Sequence, residues 1–417
     1  MKLFTGSRKH IVLLWLCWSI ALGLFQSMVM YRFPVRPVDR VLPWTALETG
    51  RQEENVNARL AVPIFTERVA WDSEFYLSIA QFGYDDPAVR KVYQSGRGSA
   101  SLNYAFMPGY PYTVRAVAAP FIAFGAPRDA ATVIAALAVS LAGALLAALS
   151  LFAILCPDEG RAHARRASWY MLIFPSAFFL AQVYTEALFL GLVLAAIAQA
   201  RKGRWTVTAL IASCAVLTRA AGVALVPAIA VTAIRFLAQE HSRARVEEGS
   251  TYHPSFNQIA GILQAVLVPF AVFLVWKFSF LGERFDIVEH AFFGRSFAPI
   301  VSIRAWLSCF ASIISWPSPR GAYYAIELAA LGLALVSSVW GAKRYPDLVV
   351  FGLAVLAASV LSVATQGIVR YVLSCPIIFV FLAHKGRCSG FDRVWSLISI
   401  LLLGFFALLF SLDMWVA

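Results

Sequence analysis

The stretch around which this chain is organised runs from residue 71 to residue 84 and reads Trp71-Asp72-Ser73-Glu74-Phe75-Tyr76-Leu77-Ser78-Ile79-Ala80-Gln81-Phe82-Gly83-Tyr84. In a helix, Trp71, Phe75 and Phe82 share one stripe at three-to-four spacing, and Asp72 lies at the edge of that stripe. The pattern predicts an amphipathic helix with a carboxylate at an interface. It is consistent with a solvated helix on a membrane and also with an acid that takes part in chemistry.

The composition excludes a soluble protein. Of the 417 residues, 60% are hydrophobic and 14% charged, and the mean hydropathy is +0.71; no soluble domain buries so much apolar surface. The net charge of +12 lies in short loops between apolar runs, which indicates membrane topology and no nucleic-acid partner. The six cysteines form neither a disulfide framework nor a zinc-ligand spacing. We therefore expect one all-α polytopic membrane domain, residues 1–417, without a metal or cofactor.

About eleven apolar segments are predicted to cross the membrane. The first, residues 11–30, follows a basic start and is interpreted as an uncleaved anchor with its amino end in the cytoplasm. Several of the later segments are short for a bilayer, which predicts tilted or broken helices around a cavity. These later spans are 130–156, 168–182, 185–200, 205–217, 220–237, 258–281, 322–341, 346–364, 370–384 and 394–413.

The topology depends on residues 105–125. If this segment spans the membrane, the basic loop at 161–166 falls outside, against the preference of lysine and arginine for the cytoplasmic side. If it lies on or dips into the outer face, the basic loops all fall inside, at 161–166, 201–204, 343–344 and 385–393. Pro108, Pro111 and Pro120 also disfavour a continuous span. We choose the second arrangement, with a helix or turn at this position packed beside the Asp72 helix.

Two external loops follow from this topology. The first, residues 31–129, holds the acidic motif, and the second, residues 282–321, contains an apolar stripe typical of an interfacial helix. The stripe consists of Ile300, Ile303, Leu307, Phe310 and Ile314. Three polar spots then collect at the outer ends of helices: Tyr184-Thr185-Glu186, Thr218-Arg219, and residues 366–371 with Arg370.

An acid and several arginines at the outer surface suit transfer of a sugar from a lipid-linked phosphate. Arg219 and Arg370 are the candidates to bind that phosphate through paired N–H groups, although each alone also suits a headgroup anchor. Asp72 is the candidate general base, because one base suffices for an inverting transfer. Glu186 is the second candidate carboxylate, or a charge favoured by its helix amino terminus. Glu74 is a further candidate, although in a helix it faces away from Asp72.

These residues resemble the PIG-V-like mannosyltransferases, a family that includes GPI mannosyltransferase 2 and bacterial relatives within the GT-C class of glycosyltransferases. The matching pieces occur in the family's order. They are Trp71-Asp72-Ser73-Glu74-Phe75-Tyr76, Ile79-Ala80, Gly83-Tyr84, Phe106-Met107-Pro108-Gly109-Tyr110-Pro111, Phe174-Pro175, Tyr184-Thr185-Glu186-Ala187-Leu188-Phe189, Leu217-Thr218-Arg219, Gly222 and Arg370-Tyr371. The chain departs from the family at Gly109, where relatives carry a larger apolar residue, and at Ala220-Ala221.

The resemblance implies a GT-C-type bundle with interfacial helices in its first external loop. It implies a polyprenyl- or dolichyl-phosphate-mannose donor and Asp72 as the base, with Tyr371 beside the arginines at the donor phosphate. The expected partners are membrane lipid, that donor, and a glycolipid, glycan or protein acceptor, in a bacterial plasma membrane in preference to the endoplasmic reticulum. The expected substrate-pocket residues are Trp71, Tyr76, Tyr84, Pro108, Tyr110 and Tyr184.

Two other classes of protein compete with this interpretation. A transporter would also have broken helices and buried polar groups, but carriers commonly contain repeated halves, and no internal repeat is evident here. The polar residues also gather at the outer face instead of midway through the spans. A noncatalytic scaffold subunit would tolerate the loss of Asp72. The sequence therefore favours a membrane glycosyltransferase.

Overall fold

The computed structural model describes residues 2–33, 64–247, 252–294, 298–314, 319–362 and 366–416, and most of them are helical. The helices are α1 (Lys2–Arg32), α2 (Asp72–Phe82), α3 (Gly109–Ala123), α4 (Arg128–Leu172), α5 (Glu186–Ala200), α6 (Trp205–Thr218), α7 (Leu225–Glu247), α8 (Phe256–Lys277), α9 (Phe280–Ala291), α10 (Pro299–Ile314), α11 (Pro319–Gly341), α12 (Pro346–Val360), α13 (Ile368–Val372), α14 (Ile377–Lys385) and α15 (Ser389–Ser411). Short 3₁₀ helices cover Thr66–Arg68, Leu102–Ala105, Pro175–Ala181 and Ala220–Ala224. An antiparallel hairpin joins β1 (Lys91–Gln94) to β2 (Gly98–Ser101).

Within the described residues, six helices are long and apolar enough to cross a membrane. A seventh span results if Pro175–Ala181 and Glu186–Ala200, which are bent by 96°, count as one. Helices α6, α10 and α12 are apolar but shorter. An integral membrane protein is therefore confirmed. The bent pair of helices is a broken helix of the kind that the short apolar segments predicted. The number of about eleven spans stays a prediction. The six helices are Arg8–Arg32, Arg128–Leu172, Ala220–Val246, Phe256–Lys277, Arg320–Gly341 and Ser389–Ser411.

Several boundaries differ from those predicted. The basic loop expected at 161–166 is helical, because the interruption of α4 is confined to Gly160, whose positive φ of 79° is accessible to glycine. The connector expected at 239–257 is helical as far as Glu247. The span predicted at 370–384 is divided into α13 and α14 around Pro376. Polar residues continue these helices beyond the apolar segments from which the boundaries were drawn.

The four basic loops that the topology places on one side do meet at one end of the bundle. Glu159 pairs with Arg344 and Arg387, in each case at 2.8 Å. Arg201 lies just past the end of α5, so Glu186 at the start of this 15-residue helix is about 22 Å away at the opposite end. Which end faces the cytoplasm stays a prediction. The other ion pairs of this end are Arg201–Asp158, Arg201–Asp347 and Arg166–Asp392.

In the first predicted external loop, residues 34–63 lie outside the described part of the chain. Helices α2 and α3 pack side by side as expected, with the Tyr76 and Tyr110 rings 5.2 Å apart. Arg115 on α3 donates to the carbonyl oxygens of Ile79 and Ala80 at 2.8 and 2.7 Å, which satisfies the carboxyl end of α2. The hairpin was not predicted. Its strands are four residues each and lie between segments whose spacing is helical.

The second predicted external loop contains α9 and α10. Helix α10 carries the predicted apolar stripe, and its five residues are 54 to 72% exposed. The stripe therefore faces away from the protein, as an interfacial helix requires. Residues 295–297 and 315–318 of this loop lie outside the described part. The position of α10 relative to a membrane stays a prediction.

A buried polar cluster connects the first predicted external loop to helices α1 and α15. The Gln26 side-chain amide donates to the Ser411 hydroxyl at 3.0 Å and to the Glu67 carbonyl oxygen at 3.3 Å. Ser27 donates to the Glu67 carboxylate at 2.7 Å. Gln182 donates back to Gln26 at 2.9 Å. Helices α1 and α15 therefore hold the chain just before the acidic motif.

Candidate active site

Four charged side chains from four helix ends meet at the end of the bundle opposite the basic loops. Arg370 Nη1 lies 2.7 Å from Asp72 Oδ2, and Arg370 Nε also donates to Glu186. Arg219 donates to the same Glu186 oxygen. Two carboxylates and two guanidiniums thus form one chain of ion pairs. The structure thus brings together four of the six residues that the sequence proposed for catalysis and phosphate binding; the other two are Glu74 and Tyr371.

Glu186 forms the floor of this cluster. It is the first residue of α5, where the positive end of the helix dipole favours a carboxylate. Because the chain bends by 96° between Pro175–Ala181 and Glu186–Ala200, this helix end lies inside the bundle. The Glu186 side chain is only 1% exposed, and its Oε2 has no hydrogen-bond partner among the described residues. A substrate hydroxyl could satisfy this oxygen.

Arg219 ends α6 in an extended conformation, with φ −149° and ψ 137°. Its guanidinium also donates to the Thr185 hydroxyl at 3.3 Å and lies 5.5 Å from the Tyr371 ring centre. The close packing of α3 at Gly109 against the end of α6 helps to fix the position of Arg219. A Cβ on Gly109 would lie 2.7 Å from the backbone carbon of Leu217, so α3 can pack against the end of α6 only because this residue has no side chain.

Arg370 lies on the short helix α13. The guanidinium carbon is 4.9 Å from the centre of the Tyr184 ring and 5.6 Å from that of Phe179, within the range of cation–π attraction. Its side chain is 12% exposed. Arg370 is therefore mostly desolvated and fixed by two carboxylates and two aromatic rings, which leaves it little rotational freedom.

Asp72 occupies the rim of the cluster. Its backbone N–H donates to the Tyr184 hydroxyl at 3.2 Å, and that hydroxyl donates to the Ala70 carbonyl oxygen at 3.2 Å. The preceding Trp71 has φ 55°, a costly conformation for a bulky residue. The Asp72 side chain is 20% exposed, the largest value in the cluster. Asp72 is therefore the more accessible of the two carboxylates.

Tyr76 lies beneath the carboxylates. Its hydroxyl and that of Thr185 are 3.3 Å apart. Burial raises the pKa of Tyr76, and the negative charges of Asp72 and Glu186 raise it further. The phenol therefore stays protonated at neutral pH and acts as a hydrogen-bonding group, which leaves the carboxylates as the candidate bases.

The remaining residues predicted for the site have other surroundings. The Tyr84 hydroxyl donates to the Phe106 carbonyl oxygen at 2.8 Å, and Tyr110, fully buried, lies 2.9 Å from the Ser140 hydroxyl. Pro108 precedes α3 as its cap. Glu74 lies half-buried on α2. Direct roles for these four residues in the substrate pocket or in catalysis stay predictions.

Of two further residues beside the site, Glu327 was missed from the sequence, and Thr185 was noted only as part of a polar spot and a motif. Glu327 is fully buried in α11 and accepts hydrogen bonds from the backbone of α13. Thr185 links Tyr76 to Arg219. An acid five residues inside a predicted span is the signal that could have identified Glu327. Among the described residues, no group of three or more His, Cys, Asp or Glu side chains could hold a metal ion.

Comparisons with known proteins gave one family and several solved structures. The family model described as "Mannosyltransferase (PIG-V)" matches residues 21–274, more than half of the chain. A search of curated proteins gave no match. The chain is similar to the archaeal oligosaccharyltransferase AglB from Archaeoglobus fulgidus in complex with an inhibitory peptide and a dolichol-phosphate, at 14% identity and a TM-score of 0.42, over 96% of this chain and 55% of that one. It is also similar to the A. fulgidus oligosaccharyltransferase with Zn and sulfate, at 14% identity and a TM-score of 0.43, over 95% and 53% of the two chains. The chain thus spans about half the length of these solved proteins.

Proposed function

Because this chain belongs to the mannosyltransferase (PIG-V) family, a family of glycosyltransferases, we propose that it transfers a hexose from a lipid-linked phosphate to an acceptor hydroxyl. The family match confirms the resemblance drawn from the motifs. The proposed donor is polyprenyl- or dolichyl-phosphate-mannose, and the proposed fold is of the GT-C type. The observation that carries the proposal is the 2.7 Å pair between Asp72 and Arg370 at a helix-end cluster with a second carboxylate and a second arginine.

The two arginines suit the donor phosphate. A guanidinium offers N–H groups in a planar fork that matches phosphate oxygens, and its charge has more effect where water is excluded. Arg219 and Arg370 are 13% and 12% exposed. Both are held by Glu186, so they stand ready at fixed positions and lose little freedom when the phosphate binds.

The proposed reaction needs one base and one stabilised leaving group. The Asp72 carboxylate takes the proton of the acceptor hydroxyl, whose oxygen forms a bond to the anomeric carbon of the sugar. The bond between that carbon and the phosphate oxygen breaks, and its electron pair leaves with the lipid phosphate, whose new charge faces Arg219 and Arg370. One displacement from the opposite face inverts the anomeric configuration. Glu186, with its unpartnered Oε2, is the alternative base.

The ion pair between Asp72 and Arg370 indicates the order in which the donor and the acceptor take part in the reaction. While Arg370 contacts Asp72, the guanidinium occupies a carboxylate oxygen that would accept the proton of the acceptor hydroxyl. A donor phosphate that binds Arg370 competes with Asp72 for its N–H groups and so frees the Asp72 carboxylate for the acceptor hydroxyl. The donor therefore binds first, and the acceptor proton is removed only when a sugar is present.

The proposed site faces the outside of the membrane, because the opposite end of the bundle collects the basic loops that favour the cytoplasm. Acceptors delivered there include a glycolipid, a cell-wall glycan or a protein hydroxyl. Membrane lipid surrounds the chain, and the donor is a substrate that no cofactor has to assist.

The test is transfer by the purified protein in lipid nanodiscs. The nanodiscs are incubated with labelled polyprenyl-phosphate-mannose and with membranes that lack the protein, which supply the acceptors. Label is then measured in the lipid, glycan and protein fractions. We expect label in one acceptor fraction with release of polyprenyl phosphate. In a parallel experiment the protein is reconstituted in sealed vesicles. Movement of the donor across their membrane without a glycosylated product would support a transporter, and the proposed function would be wrong.

A further inference from the structure

We propose that Glu327 is a positioning residue, which holds Arg370 at the donor phosphate by fixing the backbone of α13. The inference rests on the proposed function, because the role assigned to Arg370 comes from it. Glu327 itself does not touch the four charged side chains of the site in the contacts described above. Its carboxylate is fully buried in α11, so it acts through the backbone that it binds.

The Glu327 carboxylate binds both ends of the turn that precedes Arg370. Oε1 accepts the N–H of Gly367 at 2.8 Å, and Oε2 accepts the N–H of Val369 at 2.8 Å. The Tyr323 hydroxyl donates to Oε1 at 2.5 Å. Three donors thus converge on one carboxylate. Buried polar groups without such partners would be costly, so these bonds fix the carboxyl group and its donors relative to each other.

The geometry of α13 explains why an external acceptor is useful. Gly367 has φ 81°, a left-handed conformation that turns the chain sharply into a helix of five residues, Ile368–Val372. So short a helix has few internal hydrogen bonds and leaves most of its N–H groups to find other partners. The side chain of Glu327 supplies the cap that the sequence of α13 lacks.

The restraint acts one residue before the arginine. Val369 donates its N–H to Glu327 and accepts at its carbonyl oxygen a hydrogen bond from the Ser176 hydroxyl at 2.9 Å. The two peptide groups on either side of Val369 are thereby fixed. Because Val369 precedes Arg370 directly, a shift of this backbone moves the guanidinium relative to Asp72.

The hydrogen bonds around Glu327 are connected to the Asp72 side of the site through Trp415. The indole N–H of Trp415 donates to the Tyr323 hydroxyl at 3.2 Å. The Trp415 ring contacts the Trp71 ring edge to face, with centres 4.9 Å apart. Trp71 immediately precedes Asp72. One network of contacts therefore connects the proposed base on α2 to the arginine on α13, and Glu327 lies at its centre.

The test compares Glu327→Gln with a matched control, Asp347→Asn. Asp347 is also buried, accepts the backbone N–H of Leu348 at 3.0 Å in the first turn of α12, and pairs with Arg201 at 2.7 Å, but it lies at the opposite end of the bundle. Both variants remove one buried carboxylate without changing its shape. Tyr323→Phe, which deletes one donor to Glu327, is a milder variant for the case that Glu327→Gln folds poorly.

Two measurements are made on each variant in nanodiscs. Amide hydrogen exchange over residues 366–373 reports the backbone of α13, and transfer kinetics separate the donor KM from kcat. We expect Glu327→Gln to speed exchange in this segment and to raise the donor KM by up to about 10²-fold, since a displacement of about 1 Å can cost that much. Tyr323→Phe should do the same to a smaller extent, and Asp347→Asn should leave both quantities at the wild-type value.

A double-mutant cycle with Arg370→Lys separates the inference from the proposed function. If Glu327 acts through Arg370, the effects of Glu327→Gln and Arg370→Lys on the donor KM are far from additive. Unchanged exchange over residues 366–373 in both Glu327→Gln and Tyr323→Phe, or additive effects, would overturn the inference alone. A wild-type donor KM in Arg370→Lys would overturn both the inference and the phosphate role of Arg370.

Discussion

Replacing Asp72 by asparagine is the most direct test of the proposed chemistry. Asparagine keeps the shape of the side chain, but its amide is too weak a base to accept the acceptor's proton. A general base typically contributes about 10² to 10⁴ in rate, or about 2.7 to 5.4 kcal/mol at 1.36 kcal/mol per tenfold. We therefore expect Asp72→Asn to lower kcat by this factor.

The same change has a calculable cost in stability. Exposed ion pairs contribute about 0 to 1 kcal/mol, and removing one partner of a buried pair costs about 3 to 5 kcal/mol. The Asp72 and Arg370 side chains are 20% and 12% exposed, and Arg370 keeps Glu186 as a partner. We expect a loss of about 1 to 2 kcal/mol in the free energy of unfolding, between these limits. The variant should still fold, with a modest decrease in Tm.

The assay measures transfer from labelled polyprenyl-phosphate-mannose by nanodisc-embedded protein, together with thermal unfolding. Asp85→Asn is the control, because Asp85 lies in the same loop and accepts from the Tyr104 hydroxyl at 3.0 Å, outside the proposed site. Glu74→Gln and Glu186→Gln are measured in parallel. Near wild-type transfer by Asp72→Asn with an inactive Glu186→Gln would assign the base to Glu186. Full activity in all three variants would refute the mechanism.

Three further predictions concern the phosphate site, the topology and the packing. Replacing Arg219 or Arg370 by lysine should raise the donor KM more than a retained charge suggests, because the two-point contact is lost; equal activity at all donor concentrations would contradict this. A cysteine at Ser95, exposed in the hairpin turn, should react with an impermeant reagent in intact cells, with the wild-type chain as background, and labelling only after permeabilisation would reverse the topology. Gly109→Ala forces its new methyl group against the end of α6 and should cost about 1 to 3 kcal/mol of stability and lower activity, whereas Gly332→Ala, which has open space around it, should be tolerated.

The sequence indicated the four charged residues that meet in the candidate site. Glu186, Arg219 and Arg370 each lie at a boundary between an apolar segment and a polar loop, and Asp72 lies in the first predicted external loop. A topology that places these boundaries and this loop on one side also brings the residues near each other. Their pairing could not be predicted, because it depends on how four helices are rotated. The ion pair between Asp72 and Arg370 is such a case, since the two lie 298 positions apart in the sequence (370 − 72).

The supporting residues were harder to find. Glu327 lies inside an apolar helix, and nothing in its neighbourhood along the chain indicates that its partners are the N–H groups of residues about 40 positions later. Gly109 was noticed only as a departure from related sequences, and its reason is a backbone contact with Leu217. Contacts of this kind arise from packing distances, which periodicity does not specify.

The junction of Trp415 with Trp71 and Tyr323 has a consequence for biosynthesis. Ribosomes add about 5 to 20 residues per second, so roughly 15 to 60 s separate the synthesis of Asp72 from that of Arg370, and Trp415 follows later still. During this interval α2 already carries its carboxylate but has neither its arginine nor the tryptophan that packs beside it. The nascent chain can therefore insert its earlier helices before the candidate site is assembled, and the site is complete only after Trp415 has been added.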